Sequence, residues 1–243
     1  MGTWKGKAPL SNRGDWAHGA LLQLKFNPHK SKNKKISGED VTKVGEAYSL
    51  AIDMIEKAYE CTQRASAGQL ASYDVPDAFV ALEVRQIFDR YFGANPDYQT
   101  ILGTLQSTML GLKDNSKDNR VYLFDSQSKP EDGGDNRTAG YVMGYPNNYK
   151  PKRHRPEIQS HEKGAKAGEK TPRRRGHIHV NYTLAKADLA VTVIHEATHR
   201  FAGTGDFAYE QEVQKWNDLS DAEKLNNADS FACFCRDVYQ KLL

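Results

Sequence analysis

The chain has 243 residues, 38% of them hydrophobic and 27% charged, with a mean hydropathy of −0.74. That is length for one large domain or two small ones, and no stretch approaches the roughly 20 apolar residues of a membrane helix. Three cysteines (Cys61, Cys233 and Cys235) do not make a disulfide framework and read as buried thiols. The net charge of +3 is uneven: residues 150–175 hold ten Lys or Arg against three Glu, so the rest of the chain is net acidic.

Residues 1–36 are polar and basic and are expected to form a weakly ordered arm; one apolar run, residues 20–24, suits a short strand or helix. The opening Met1-Gly2-Thr3-Trp4-Lys5-Gly6 has no apolar h-region. No signal peptide is visible, so the expectation is a cytoplasmic protein or one exported by a non-classical route. Residues 37–243 are expected to make one domain, with a helical part over 37–113. Ser37 and Asp40 have capping-box spacing, and Val41, Val44, Tyr48, Ala51, Ile55 and Ala58 recur with helical period, predicting a helix over 38–66. A second helix is predicted over 76–92, with Asp74 and Pro76 near its start. A third begins at Asn95-Pro96-Asp97, with Asn95 as cap, and stops near Gly111.

The period then changes. Residues 121–124 and 139–145 read as strands around a turn-rich segment. The carboxylates in that segment, from Glu131 to Asp135, lack EF-hand spacing and read as a solvated loop. The basic loop, 146–175, has almost no large apolar residues and cannot bury a core; its charge suits an anionic partner such as nucleic acid, phosphate groups or an acidic protein. The active-site part follows over 176–243. Residues 176–182 read as a strand with His177 and His179 on one face, as further ligands or as lining of a substrate cleft. Such a strand is placed to pair with an extended peptide.

The apolar run 189–194 leads into His195-Glu196-Ala197-Thr198-His199. On a helix, positions i and i+4 share a face, so both imidazoles reach one metal ion, and Glu196 beside them can hold an attacking water. A catalytic zinc needs a third ligand and an open position. A His six residues past His199 is one pattern, but Gly205 stands there. Glu210, Glu212 and Glu223 are candidates from later segments, and Asp206 is another, after two glycines that let the chain turn back.

With Gly203-Thr204-Gly205-Asp206-Phe207-Ala208-Tyr209 following the H-E-x-x-H, the chain resembles the aspzincins, the deuterolysin and peptidyl-lysine metalloendopeptidase family. The resemblance implies an α+β fold with a zincin-like core: N-terminal helices, a small mixed sheet and an active-site helix carrying the H-E-x-x-H. It implies Zn²⁺ held by His195, His199 and Asp206, Glu196 as general base, and Tyr209 as donor to the developing oxyanion. A further match is Asn227-Ala228-Asp229-Ser230. A helix is predicted there, opened by a Ser220–Glu223 capping box and carrying Leu225, Ala228, Ala232, Cys235, Tyr239 and Leu242 on its apolar face; Asp229 falls on that face, where a carboxylate needs a partner. In lysine-specific members that Asp helps form an acidic substrate pocket, which makes Asp229 a substrate-binding candidate. Ala232 replaces the acidic residue those members carry three positions later.

The function expected is therefore a zinc metalloendopeptidase acting on a protein or peptide substrate, in the setting of a toxin or effector. The alternative is a nucleic-acid- or protein-binding module with a structural zinc.

Overall fold

The computed structural model describes residues 23–26, 36–69, 78–113, 120–125, 139–144, 158–159, 172–173 and 175–242. The acidic turn 131–136, most of residues 1–36 and nearly all of the basic loop lie outside the described residues.

Seven α-helices are described: α1 Gly38–Ser66, α2 Ala78–Phe92, α3 Tyr98–Lys113, α4 Lys186–Ala197, α5 Val213–Asn217, α6 Asp221–Lys224 and α7 Ala228–Leu242. A π-helical turn, Thr198–Ala202, continues α4 without a break. The strands are β1 Gln23–Phe26, β2 Arg120–Phe124, β3 Gly140–Gly144, β4 Ile158–Gln159, β5 Pro172–Arg173 and β6 Arg175–Asn181. The order β1-β2-β6-β3 makes a mixed sheet, parallel except for the antiparallel β3. β4 and β5 form a separate two-stranded pair. The fold is α+β. No helix among the described residues is long and apolar enough to cross a membrane.

Alternation along the strands decides which face the helices cover. Leu24, Val121, Leu123, Ile178 and Val180 join the helical core, while Tyr122, Tyr141, His177 and His179 project from the other face. α1 packs against α3, α4 and α7 through the stripe its sequence shows: Val44, Tyr48, Ala51, Ile55 and Ala58 are all buried. The Tyr48 hydroxyl crosses to donate to the Leu112 carbonyl at 2.8 Å, satisfying an orphan acceptor in the last turn of α3. Phe88, Tyr91 and Phe92 of α2 interlock with Phe231 and Phe234 of α7 at centroid distances of 4.8–6.4 Å. Each such ring contributes about 1.5–3 kcal/mol by burial.

Three local expectations need correction. α3 is capped by Asp97, not Asn95: its Oδ1 accepts from the backbone N–H of Gln99 and Thr100 at 3.1 and 3.2 Å. The helix also runs through Gly111 to Lys113, because Gly111 is where it meets the π-helical turn. A Cβ there would lie 2.2 Å from the Phe201 ring. The C-terminal region is two helices: Ser220 and Glu223 do form a capping box, but it starts the single turn of α6. α7 begins only at Ala228, since the Asn226 carbonyl and the Ala228 N–H both pair with Gly205 instead.

Candidate metal centre

The apolar face of α4 points Leu189, Ala190, Val193 and Ile194 into the core, and this plants the last turn of the helix, with His195 and Glu196, in the interior. His199 falls in the π-helical turn, which ends at Gly203 in the left-handed region (φ 82°). Single π turns inside α-helices concentrate at functional positions. This one carries a ligand candidate and turns the chain back across the two imidazoles.

His195 Nε2, His199 Nε2 and Asp206 Oδ1 form a triangle with sides of 3.0, 3.0 and 3.1 Å. The outer faces of the rings show which atoms carry protons. His199 Nδ1 lies 2.8 Å from the Thr204 carbonyl, which only accepts, so Nδ1 donates and Nε2 keeps its lone pair. His195 Nδ1 lies 3.2 Å from Asp229 Oδ1, a carboxylate oxygen, with the same consequence. Three lone-pair atoms thus converge, and they need a cation between them. Tetrahedral zinc with bonds of roughly 2.0–2.1 Å has ligand edges of about 3.3 Å, and two imidazoles with a carboxylate are zinc ligand types. The residues fit the ion. A proton is the competing occupant. Burial opposes charge on His195, but its bonds to Asp206 and Asp229 and the nearby Glu196 charge outweigh that, and its pKa is pushed up to about 10. Burial would raise the Asp206 carboxyl, yet the two imidazoles hold it well below the usual carboxylate range.

Asp206 reaches the histidines from a loop with no helix or strand of its own. The loop is held by its neighbours in space. Gly205 pairs with the 226–228 backbone at 2.8 and 2.9 Å. Asn227, fully buried, accepts from the N–H of Phe207 and Ala208 and donates to the Ala208 carbonyl and Ser230 Oγ. Thr204 Oγ1 donates to Thr198 Oγ1, which in turn donates to the His195 carbonyl. The side chain of Asp206 is 48% exposed against 9% for each imidazole, so the centre opens toward the loop. Tyr209 closes the loop with its ring parallel to His195, 5.7 Å between centroids and 12° between planes.

The other carboxylates are occupied elsewhere. Glu210 binds Arg90, Tyr91 and Arg236. Glu212 accepts from the Tyr209 N–H and pairs with Lys215. Glu223 closes the capping box of α6. Asp229 turns both oxygens inward, Oδ1 to His195 and Oδ2 to the Glu210 N–H at 2.6 Å.

Glu196 is 4% exposed, and the edge strand runs against it: a Cβ on Gly140 would lie 2.8 Å from Glu196 Cγ and 2.9 Å from Oε1. Tyr141, next in β3, has its pKa pushed up to about 12 by burial and then by the Glu196 charge. His177 and His179 are not brought to the cluster. They lie on the opposite sheet face from the one on which Gly140 meets Glu196, and His179 is stacked between Tyr122 and Tyr141 at 4.8 and 4.3 Å. The expectation that the 176–182 strand pairs with a peptide also fails, because β6 is bonded to β2 on one side and β3 on the other. Among the described residues the sheet has edges at β1 and β3, and β3 is the one that passes Glu196.

Sequence reasoning missed the supports. Thr204 and Asn227 stood inside motifs already singled out, where a small polar residue beside a ligand was the available signal. Gly140 had none, since its role arises only where two distant segments meet.

The family model of the aspzincins, described as lysine-specific metallo-endopeptidase, matches residues 178–236. Among solved structures, a zinc peptidase from Grifola frondosa is similar, with 19% identity and a TM-score of 0.47, over 84% of this chain and 97% of that one. No curated protein matches. The matched segment contains His195, Glu196, His199, Asp206, Tyr209 and Asp229. Over residues 178–236, about a quarter of its length, the chain is similar to the aspzincin family of zinc-dependent metalloendopeptidases.

Proposed function

We propose that the chain cleaves peptide bonds at a zinc ion held by His195, His199 and Asp206, with Glu196 as general base and Tyr209 as oxyanion donor. The observation that carries this reading is the convergence of three lone-pair atoms within 3.1 Å of one another, one residue from a buried glutamate. Bound there, zinc supplies Lewis acidity, polarising the scissile carbonyl and lowering the pKa of water.

The chain's own residues do the rest. Glu196 accepts the proton of the attacking water and later passes it to the leaving amine. Tyr209 keeps its proton, because burial and then the charges of Asp206 and Glu196 push its pKa well above the ordinary value. It therefore donates a hydrogen bond that strengthens as the oxyanion forms. Asp229 holds the His195 proton on Nδ1 and so presents Nε2 to the ion. That role differs from the substrate-pocket role expected from the sequence. An extended substrate adds to β3, the sheet edge that passes Glu196, through backbone hydrogen bonds.

Cleavage profiling on a peptide library tests the reading, with chelator-treated protein and Glu196→Gln as controls. The expected result is zinc-dependent cleavage that Glu196→Gln lowers by about 10²–10⁴-fold while zinc content stays the same. Full activity in Glu196→Gln would overturn the general-base assignment, and chelator-resistant cleavage would overturn the zinc mechanism.

A further inference from the structure

Glu210 follows Tyr209 directly, yet its carboxylate turns away from the metal centre into an ion cluster between two helices. Oε1 accepts from Arg90 Nη2 and the Tyr91 hydroxyl, both at 2.7 Å, and Oε2 accepts from Arg236 Nη2 at 3.0 Å. Asp237 completes the cluster, 2.6 Å from the Tyr91 hydroxyl and 2.7 Å from Arg236 Nε. Two arginines balance two carboxylates, and the single phenol proton serves one carboxylate at a time. Arg90 and Tyr91 belong to α2, and Arg236 and Asp237 to α7. The Tyr91 ring is fully buried against Trp216 and Phe234, so the clamp rests on packed core.

The backbone of Glu210 faces the other way. Its N–H donates to Asp229 Oδ2 at 2.6 Å, and Asp229 Oδ1 faces His195 Nδ1. The loop that carries Asp206 and Tyr209 is pinned at Gly205, at Phe207–Ala208 by Asn227, and at Glu210. Beyond Tyr209, the Glu210 attachment ties the loop to the metal-centre side, while Glu212 bonds Tyr209 within the same turn.

We infer that Glu210 is a positioning residue, clamped by Arg90, Tyr91 and Arg236 so that its neighbour Tyr209 stays over His195 and its own N–H holds Asp229 behind that ligand. The inference rests on the proposed peptidase reading for the part played by Tyr209; the part played through Asp229 concerns zinc affinity alone.

The test uses the full chain with Glu210→Gln, which keeps the side-chain shape and removes the charge. Zinc affinity, read by competition with a chromogenic chelator, is expected to fall about tenfold or more. On a peptide substrate kcat is expected to fall at least about tenfold with KM within about twofold. In a Tyr209→Phe background the same substitution is expected to change kcat by less than about twofold, since the group it positions is already gone. Circular dichroism and thermal unfolding keep the assays below the unfolding transition. Tyr91→Phe removes one clamp bond and serves as the milder second variant should Glu210→Gln not fold; it is expected to move zinc affinity and kcat in the same direction by a smaller factor. Unchanged zinc affinity and kcat in the folded variant would overturn the inference, as would an undiminished kcat loss in the Tyr209→Phe background. If the unsubstituted zinc-loaded protein cleaves no peptide, the peptidase reading fails, and the zinc-affinity result still decides whether Glu210 acts through Asp229.

Discussion

Gly140 and Glu196 share one space: a Cβ on the glycine would stand 2.8–2.9 Å from the glutamate's Cγ and Oε1 and 2.7 Å from Thr192 Cγ2. The edge strand can approach α4 this closely only because it has no side chain there. Gly140→Ala is therefore expected to push the carboxylate aside without touching the ligand triangle. Zinc content should stay unchanged while kcat falls about 10–100-fold, the cost of misplacing the proposed general base. Overpacking should lower stability by about 1–3 kcal/mol. Metal analysis and steady-state kinetics on one preparation check this; an unchanged kcat would show that Glu196 needs no such confinement.

Asp229→Asn separates two roles for that carboxylate. Acting behind His195, its loss of charge should weaken zinc binding about 10–100-fold, and cleavage should fall by a similar factor whichever residue follows the cut. If Asp229 instead selects a lysine, zinc affinity will hold, and only lysine-containing peptides will suffer. Chelator competition and a matched pair of peptides decide between the two.

Asn227→Ala removes four hydrogen bonds from a fully buried position and leaves the Phe207 and Ala208 N–H groups and the Ala208 carbonyl without this partner. Unsatisfied buried groups cost about 1–3 kcal/mol each, partly recovered by relaxation. A loss of about 2–4 kcal/mol in denaturant unfolding is expected, with weaker zinc binding because the Asp206 loop loosens. Normal zinc affinity in the destabilised variant would show that the loop holds its shape by other means.

The pH dependence of chelator-treated protein follows from His195 and Asp206. His195 has a folded pKa raised to about 10 from an ordinary 6.5, so between those values the folded state binds more protons than the unfolded. Stability then falls as pH rises. This contribution is complete below about pH 6.5 and lost through about pH 10. Asp206 is shifted down, so its contribution is present above the ordinary carboxylate pKa and lost as the pH falls below it. Added zinc should abolish the alkaline loss, because the ion takes the proton's place, and zinc affinity should fall on acidification. Chemical unfolding from about pH 2 to about pH 10, with and without zinc, measures all of this. A flat chelator-treated profile would contradict it.

The helices were legible in outline because their stripes are local patterns: α1 runs over Gly38–Ser66, the span its periodicity marks. Errors fell where another segment intervened. The break between α6 and α7 arises because Gly205, more than 20 residues upstream, takes the backbone groups that would have continued the helix. β6 reads as an ordinary strand, and nothing within it says that both of its edges are already filled.

The same division runs through the metal centre. His195, Glu196 and His199 can be read from five consecutive residues because helical spacing alone places two imidazoles on one side. Asp206 is one of several third-ligand candidates that the sequence offers, reached by a short turn through Gly203 and Gly205, and it and Tyr209 were singled out only through the resemblance to the aspzincin motif. Folding settled what holds them. Glu210 meets Tyr91 across 119 residues of chain, His195 meets Asp229 across 34, and Gly140 meets Glu196 from a different layer of the fold. Spacing along a chain encodes contacts within a turn or two of helix; orientation of a ligand depends on groups that only packing brings to its far side.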